Sequence, residues 1–282
     1  MPKFLIAESE TEGERSRRRD HAGKSSAESY AATLCQMSGG GRVDIVYPAD
    51  EDADALSPEW LAGYDAIFLS GSPMHVYHDT PDVRRQLSFM REVFASGTPS
   101  FGSCAGLQVA VAATGGTVRK MARRMEAGIA RRIVATDTGR THPMLAGRPA
   151  SWDAPAIHGD EVAELPPCAT LLASNGASPV QAIEIRHDRA VFWGVQYHPE
   201  LAPGEIGAAL RRQASDLVAE GLARDDGDVA DQAEWFDVLQ EDAASPAARW
   251  HLGVDDEYAI EDLRRRELRN FLTSIPALRN KG

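Results

Sequence analysis

Short apolar runs alternate with helix-like stretches over the first two hundred residues of this 282-residue chain, and this alternation constrains the fold most. The strand-like runs are residues 4–7, 43–47, 66–69 and 98–101, and the helix-like stretches are residues 27–37 and 81–95. Glycine closely follows each helix-like stretch, as is typical of a helix C-terminus. The pattern predicts an α/β fold in which a mostly parallel sheet carries helices on both faces.

The pattern changes in the middle of the chain, where strand-like runs follow one another with little helix between them. These runs are residues 128–134, 169–173, 180–185 and 190–195. The segment His187-Asp188-Arg189 separates the last two runs and predicts a hairpin. We therefore expect an antiparallel edge or flap that is attached to the parallel sheet.

From residue 203 onward the sequence is typical of helices. Four apolar residues recur at the spacing of one helix face, namely Leu268, Phe271, Leu272 and Ile275. An amphipathic helix of this kind must dock its apolar face on something. We predict two parts, a domain of residues 1–212 and a C-terminal helical extension of residues 213–282 that packs on it.

Composition and charge argue against several kinds of protein. A formal net charge of −12 argues against nucleic-acid binding, since contacts to phosphate need a basic surface. No apolar run approaches the length of a membrane span, and the chain opens on a strand-like run that leaves no room for a cleavable signal. Three scattered cysteines argue against a disulfide framework. We therefore expect a cytoplasmic protein with neither a membrane nor a nucleic-acid partner.

A cysteine between glycines, in the segment from Gly102 to Gly106, is the strongest candidate for catalysis. Cys104 follows a strand-like run and precedes a helix-like stretch, and this geometry presents a nucleophile at the carboxyl edge of a sheet. Glycine tolerates the strained backbone of such a turn, and a helix N-terminus favours a thiolate. An inert core cysteine is the alternative, and the surrounding turn favours catalysis.

The segment Tyr197-His198-Pro199-Glu200 supplies the base that such a thiol needs. His198 can take the thiol proton and return it to a leaving amine. Glu200 lies two residues further on, so both side chains share a face in extended backbone, and the carboxylate can fix the imidazole tautomer. Cys104, His198 and Glu200 are therefore the predicted catalytic residues.

Four segments, in the same order along the chain, resemble class I glutamine amidotransferases. The likeness is strongest to stand-alone proteins similar to the glutaminase domain of GMP synthase. The segments are Ser70-Gly71-Ser72-Pro73, Gly102–Gln108, His158–Val162 with Leu165-Pro166, and Gly194–Glu200. A lone glycine-flanked cysteine would be a weak signal, but four ordered motifs are specific and cover about residues 3–212.

The resemblance implies a flavodoxin-like sheet with the three predicted catalytic residues at its edge. Backbone N–H groups of Gly71 or Ser72 and of Ala105 would form the oxyanion hole. Such a donor is typically worth about 3 kcal/mol of transition-state stabilisation.

Substrate contacts at Gln108, His158 and Asp160 are also implied by the resemblance. Gln108 has an alternative role as an exposed residue of the helix after the cysteine. His158 and Asp160 have an alternative role in a polar loop with structural hydrogen bonds. His75 and His78 lack the partners of a metal site, so neither a metal nor a cofactor is expected.

The residues and the resemblance together predict a hydrolase that cleaves the γ-amide of glutamine or of a γ-glutamyl amide through a thioester on Cys104. One alternative is a glutaminase subunit that passes ammonia to a synthase partner, because the chain has no glycine-rich ATP-binding loop of its own. Another is a stand-alone hydrolase of γ-glutamyl amides or peptides in catabolism. A catalytically silent regulatory or binding module is the alternative of another class. An oligomer is compatible with each.

A run of arginines, Arg15 to Arg19, falls just after the first strand-like run. Loops in this position open at the sheet edge that carries the active site. We predict a solvated, mobile loop. The alternative is a guanidinium clamp for a carboxylate of the substrate or of an acidic partner.

Overall fold

A nine-stranded sheet lies at the centre of the computed structural model, which describes residues 1–122 and 124–279. Its strands are β1 (Lys3–Ala7), β2 (Arg42–Val46), β3 (Ala66–Leu69), β4 (Ser100–Ser103), β6 (Glu126–Ala135), β7 (Trp152–His158), β9 (Ala169–Ser174), β10 (Ala182–His187) and β11 (Ala190–Val195). A separate two-stranded ribbon pairs β5 (Thr117–Lys120) with β8 (Asp160–Glu164).

The strand order confirms the predicted fold. The order is β2-β1-β3-β4-β11-β10-β9-β6-β7, and the first five strands are parallel. These five follow the 2-1-3-4-5 order of flavodoxin-like sheets. The other four strands pair antiparallel and form the predicted edge. Asp188 takes a positive φ of 52° at the predicted hairpin between β10 and β11.

Helices cover both faces of the sheet and fill the C-terminal part of the chain. They are α1 (Glu12–Ala22), α2 (Ser26–Met37), α3 (Pro58–Leu61), α4 (Pro81–Ser96), α5 (Ala105–Ala113), α6 (Asp137–Thr141), α7 (Pro203–Arg212), α8 (Ala214–Ala219), α9 (Asp226–Glu241), α10 (Pro246–Leu252), α11 (Asp256–Ala259), α12 (Glu261–Arg264) and α13 (Arg266–Arg279). A short 3₁₀ turn spans Pro143–Leu145. Among the described residues, no helix has the length and apolar character needed to cross a membrane.

The arginine run forms helix α1, so the prediction of a solvated loop there is wrong. The helix begins with a capping box, in which the backbone N–H of Thr11 donates to the Glu14 carboxylate at 2.8 Å. Gly23, with a φ of 72°, ends it. Arg15 and Arg18 point inward, and Arg15 is held by an ion pair with Asp50 at 2.6 Å. The buried face of this helix consists of charged side chains rather than apolar ones. The sequence therefore has no apolar periodicity that would have predicted the helix.

The C-terminal helices share the hydrophobic core of the sheet. Phe271 of α13 is fully buried and packs edge-on against Phe68 of β3 and Trp193 of β11, with ring centroids 5.5 and 5.6 Å apart. Phe236 of α9 packs in a second core with Leu210 of α7. The amphipathic helix predicted near the C-terminus therefore docks on the sheet. The boundary at residue 212 stays a prediction.

The carboxyl ends of three neighbouring strands meet at one edge of the sheet. Leu69 of β3 pairs with Gly102 of β4, and Val195 of β11 pairs with Ser103. The turns after these strands therefore lie side by side, although they are far apart in sequence. This edge of an open parallel sheet is where ligands bind.

Candidate active site

Cys104 occupies a strained turn between β4 and α5. Its backbone takes φ 53° and ψ −109°, and its N–H donates to the carbonyl of Val195 at 2.8 Å. A Cβ added to Gly106 would lie 2.7 Å from the carbonyl oxygen of Leu69, so only glycine fits there. The turn thus fixes Cys104 at the wall of a cavity of about 500 Å³.

His198 and Glu200 lie beside Cys104, in the turn after β11. Nδ1 of His198 donates to Oε1 of Glu200 at 2.7 Å, and both side chains are buried. Because Nδ1 is engaged in this way, Nε2 is the ring nitrogen left to interact with Cys104, and this interaction contributes to the raised pKa of the imidazole. The structure therefore brings together the three residues that two separate motifs predicted.

The surroundings of His198 favour its protonated form. Burial lowers the pKa of the imidazole, but the charge of Glu200 and the hydrogen bond to Cys104 raise it well above its ordinary value of 6.5. A buried imidazole that holds a proton at neutral pH can act as a general acid toward a bound molecule.

Ser103, which the sequence analysis missed, holds the other oxygen of Glu200. Its hydroxyl donates to Oε2 of Glu200 at 2.8 Å, and the hydroxyl of Tyr30 lies 3.5 Å from the same Ser103 oxygen. Burial and the charge of Glu200 raise the pKa of Tyr30 well above 10, so this phenol stays neutral. The only sequence signal was the position of a serine directly before the candidate nucleophile.

Of the three residues predicted for the oxyanion hole, Gly71 and Ser72 line the same cavity as Cys104, and Ala105 follows Cys104 in the chain. Gly71 follows β3 and lies close against the His198 ring. A Cβ at this position would be only 2.5 Å from Cε1 of the imidazole, so a larger residue would clash with the ring. The Ser72 hydroxyl accepts from the N–H of Met74 at 3.0 Å and shapes the turn. Ala105 is the first residue of α5, directly after Cys104.

Gln108 is buried and is not an exposed residue of α5. Its Nε2 donates to the carbonyl of Asp160 at 3.3 Å and to the side-chain oxygen of Gln196 at 3.2 Å. These bonds join α5 to the two-stranded ribbon and to the turn after β11. Gln108 lines the cavity together with Cys104.

His158 and Asp160 lie in strands at the cavity wall. Both ring nitrogens of His158 are occupied, by the Glu126 carboxylate at 3.0 Å and by the carbonyl of Asp160 at 2.9 Å. The Asp160 carboxylate accepts from His75 at 2.7 Å and from Tyr77 at 3.2 Å. Both side chains therefore make the structural hydrogen bonds that were their alternative role. Their contact with substrate stays a prediction.

A group of charged residues also lines the cavity, and the sequence analysis offered only one of them, Arg18, as part of a guanidinium clamp. The group consists of Glu10 after β1, Arg18 on α1 and Arg212 at the end of α7. Of the arginine run, Arg18 alone lines this cavity among the described residues, because Arg15 faces Asp50 and Arg19 pairs with Glu28. Glu10 follows a strand that ends at the same edge of the sheet as Cys104. This position in the sequence could have indicated that Glu10 lines the cavity.

Across the described parts of the chain, no group of three or more His, Cys, Asp or Glu side chains is arranged to hold a metal ion. A second cavity of about 1040 Å³ lies between β6 and helices α8 and α9. It does not include the three candidate catalytic residues.

Known proteins resemble this chain in sequence. The family model of class-I glutamine amidotransferases matches residues 24–215. A γ-glutamyl-L-1-hydroxyisopropylamide hydrolase of a Pseudomonas species is 37% identical over 222 residues, which cover 78% of this chain and 74% of the relative. A glutamine-hydrolysing GMP synthase of Thermomicrobium roseum is 35% identical over 165 residues, 58% of this chain, but only 28% of the synthase is matched.

Solved structures resemble the fold over nearly its whole length. A glutamine amidotransferase of Thermotoga maritima matches 98% of both chains with a TM-score of 0.66 and 16% identity. A glutamine amidotransferase of Methylobacillus flagellatus matches 98% of this chain and 94% of its own, with a TM-score of 0.63 and 19% identity. At these identities the likeness shows the fold, and the C-terminal helices are part of it.

Proposed function

Because this chain belongs to the class I glutamine amidotransferase family, whose members hydrolyse a C–N bond, we propose that it cleaves γ-glutamyl amides with Cys104 as the nucleophile. The observation that carries the proposal is the contact chain from Cys104 through His198 to Glu200 at the wall of one cavity. A volume of about 500 Å³ lies within the range of small-molecule sites, about 300–1,000 Å³.

In the proposed first step, the Cys104 thiolate, whose proton His198 has taken, attacks the γ-carbonyl carbon of the substrate and its sulfur forms a bond to that carbon. Backbone N–H groups of Gly71 or Ser72 and of Ala105 stabilise the oxyanion. His198 gives its proton to the leaving amine as the C–N bond breaks.

The second step hydrolyses the γ-glutamyl thioester. His198, now neutral, takes a proton from water, which attacks the same carbon. The thiolate leaves, glutamate is released, and the proton stays on His198. Throughout both steps Glu200 holds Nδ1 and so keeps Nε2 directed at the reacting atoms.

We propose that the protein works alone on an amide larger than glutamine. The hydrolase relative matches most of this chain and most of its own length, and its name specifies a γ-glutamyl amide. The second candidate is a glutaminase subunit that supplies a synthase with ammonia, which the similarity to GMP synthases favours. The contacts of Cys104, His198 and Glu200 weigh against a silent binding module.

Glutamate release by the purified protein, from glutamine and from a panel of γ-glutamyl amides, tests the proposal. We expect turnover of at least one amide larger than glutamine, and a loss of at least about 1,000-fold in Cys104→Ala. Cys168→Ala is the matched control and should keep full activity. Activity retained by Cys104→Ala would refute the proposed nucleophile. Turnover of nothing, with Cys104 still open to labelling by a glutamine analogue, would favour the synthase-dependent subunit.

A further inference from the structure

The turn that carries His198 and Glu200 lies outside any helix or strand. This histidine turn, residues 197–201, runs between the end of β11 and the start of α7. The N–H of His198 donates to the carbonyl of Pro155 on β7 at 2.8 Å and so anchors the turn to the sheet. Because the turn belongs to no helix or β-ladder, the positions of its side chains depend on contacts from other segments of the chain.

Two side chains near the start of the C-terminal helix hold the two ends of the histidine turn. At its first residue, the hydroxyl of Tyr197 donates to Oε1 of Glu267 on α13 at 2.8 Å. At its last residue, the carbonyl of Leu201 accepts from Nε of Arg264 on α12 at 3.1 Å. Arg264 and Glu267 are three residues apart in the chain, so one short segment fixes both ends of the turn.

The hydrogen bond between Tyr197 and Glu267 is fully buried. Neither side chain has exposed surface. Burial and the charge of Glu267 raise the pKa of Tyr197 well above 10, so the hydroxyl keeps the proton that it donates. A hydrogen bond to an ionised acceptor is shorter and stronger than one between neutral groups, so this contact holds the start of the turn firmly.

Arg148 fixes the orientation of Glu267. Its Nε donates to Oε1 of the carboxylate at 2.7 Å and its Nη2 donates to Oε2 at 2.6 Å, a two-point contact that sets the plane of the carboxylate. The two side chains of this ion pair are 2% and 0% exposed. A buried ion pair adds little stability over apolar residues of the same volume, because both charges lose their water. We therefore attribute to it the placement of the oxygen that the Tyr197 hydroxyl meets.

The hydroxyl of Tyr197 is not needed to fill space. A phenylalanine would occupy the same volume and would need no buried acceptor. Tyr258 of α11 is equally buried and offers a comparison, since its hydroxyl donates to the carbonyl of Gly128 at 3.2 Å and joins α11 to β6. The bond of Tyr258 holds two elements together, whereas the bond of Tyr197 acts on the residue directly before His198.

We propose that Glu267 is a positioning residue for the reaction: through Tyr197 it holds the histidine turn in the orientation that places His198 against Cys104. Arg264 fixes the other end of the turn, so α12 and α13 contribute to the rate of the reaction as well as to folding. The inference rests on the proposed hydrolysis of γ-glutamyl amides, and it assigns no contact with substrate to Glu267 or Tyr197.

Tyr197→Phe removes the hydrogen bond to Glu267 and keeps the ring. With the γ-glutamyl amide that wild type hydrolyses fastest, we expect kcat to fall about fivefold and KM to change less than about twofold, since a misplaced catalytic group slows the chemical step more than it weakens binding. Turnover is counted per chain whose Cys104 is labelled by a chloroketone analogue of glutamine, so unfolded protein does not enter the count. Tyr258→Phe is the matched control, because it loses a hydroxyl of the same burial, and it should keep kcat within about twofold of wild type.

Glu267→Asp tests whether the carboxylate acts through Tyr197. The shorter side chain moves the acceptor away from the hydroxyl, so kcat should fall in the wild-type background and should not fall further once Tyr197 is replaced by Phe. Equal reductions of kcat in the two backgrounds would overturn the link between Glu267 and the turn. Tyr197→Phe decides the proposal by itself if Glu267→Asp does not fold.

Each other outcome has a definite meaning. Equal kcat values for Tyr197→Phe and Tyr258→Phe would overturn the positioning role and leave γ-glutamyl amide hydrolysis intact. A higher KM for Tyr197→Phe with an unchanged kcat would also overturn it, in favour of a role in binding. No turnover of any amide by wild type would refute the proposed function and the positioning role together.

Discussion

Ser103 connects the turn of the candidate nucleophile to the carboxylate that orients His198. Its hydroxyl donates to Oε2 of Glu200 at 2.8 Å, while Oε1 of the same carboxylate accepts from His198 at 2.7 Å. The end of β4 therefore supplies both Cys104 and a bond that fixes the plane of Glu200. Since Ser103 acts through Glu200, we assign it as a positioning residue.

Replacing Ser103 with alanine should lower kcat about tenfold and change KM less than about twofold. A buried hydrogen bond to a charged group contributes about 1.5–3 kcal/mol, and about 1.4 kcal/mol corresponds to a factor of ten in rate. Steady-state release of glutamate measures both constants. Ser100→Ala, at the start of the same strand, is the control, because the buried Ser100 hydroxyl has no hydrogen-bond partner in the described chain. Equal kcat values for the two variants would contradict the assigned role.

Glu10 makes the stability of the fold depend on pH in a definite direction. Its pKa rises from 4.5 to about 7 in the folded state, chiefly because of burial. The folded state therefore binds this proton more tightly than the unfolded state does. The stabilisation is complete below about pH 4.5 and is lost as the pH rises through 7.

Glu10→Gln removes this ionisation. We expect the free energy of unfolding of the variant, relative to wild type, to increase by about 2–3 kcal/mol between pH 5 and pH 8, since one pKa unit corresponds to about 1.4 kcal/mol. Urea unfolding at the two pH values measures the change. The exposed Glu12, replaced by Gln, is the control and should show no such increase. A relative stability that is the same at both pH values would rule out a raised pKa.

At the scale of elements, helix α1 shows how charge conceals a helix from sequence reasoning. Its inward face consists of Arg15 and Arg18, whose long stems pack while their guanidinium groups meet acidic partners. A search for apolar periodicity finds nothing in such a helix. The signals were at its ends, in the capping box of Thr11 and Glu14 and in Gly23.

The predictable elements were those whose cause is local. The turn at Cys104 needs small neighbours, and the hairpin at Asp188 follows from a short polar break between two strand-like runs. The contacts of Ser103 with Glu200, and of His75 with Asp160, join distant segments that only the folded sheet brings together. The motifs predicted that Cys104, His198 and Glu200 lie together, but they did not predict the hydrogen bonds that surround these residues.

At the scale of the whole molecule, the C-terminal helix is part of the scaffold of the site. Glu267 of α13 is fully buried and accepts from the hydroxyl of Tyr197, the residue before His198, at 2.8 Å. Arg148 also donates to Glu267, at 2.6 Å. The apolar face of α13 is used inside the chain, against Phe68 and Trp193, so it is not a free docking face for a synthase.

The central claim is that Cys104 is the nucleophile of a γ-glutamyl hydrolase. The chain has three cysteines, and comparing their reactivity tests this claim directly. Cys35 and Cys168 are more exposed than the buried Cys104, so a general thiol reagent should react with them first. A chloroketone analogue of glutamine should reverse this order, because the cavity binds the γ-glutamyl group beside Cys104.

Mass spectrometry of the chain labelled with this chloroketone is the measurement that tests the claim most directly. We predict one label per chain, on the peptide that contains Cys104, with loss of hydrolysis in proportion and slower labelling in the presence of a γ-glutamyl substrate. Labelling confined to Cys35 or Cys168, or hydrolysis that persists after Cys104 is fully labelled, would contradict the account.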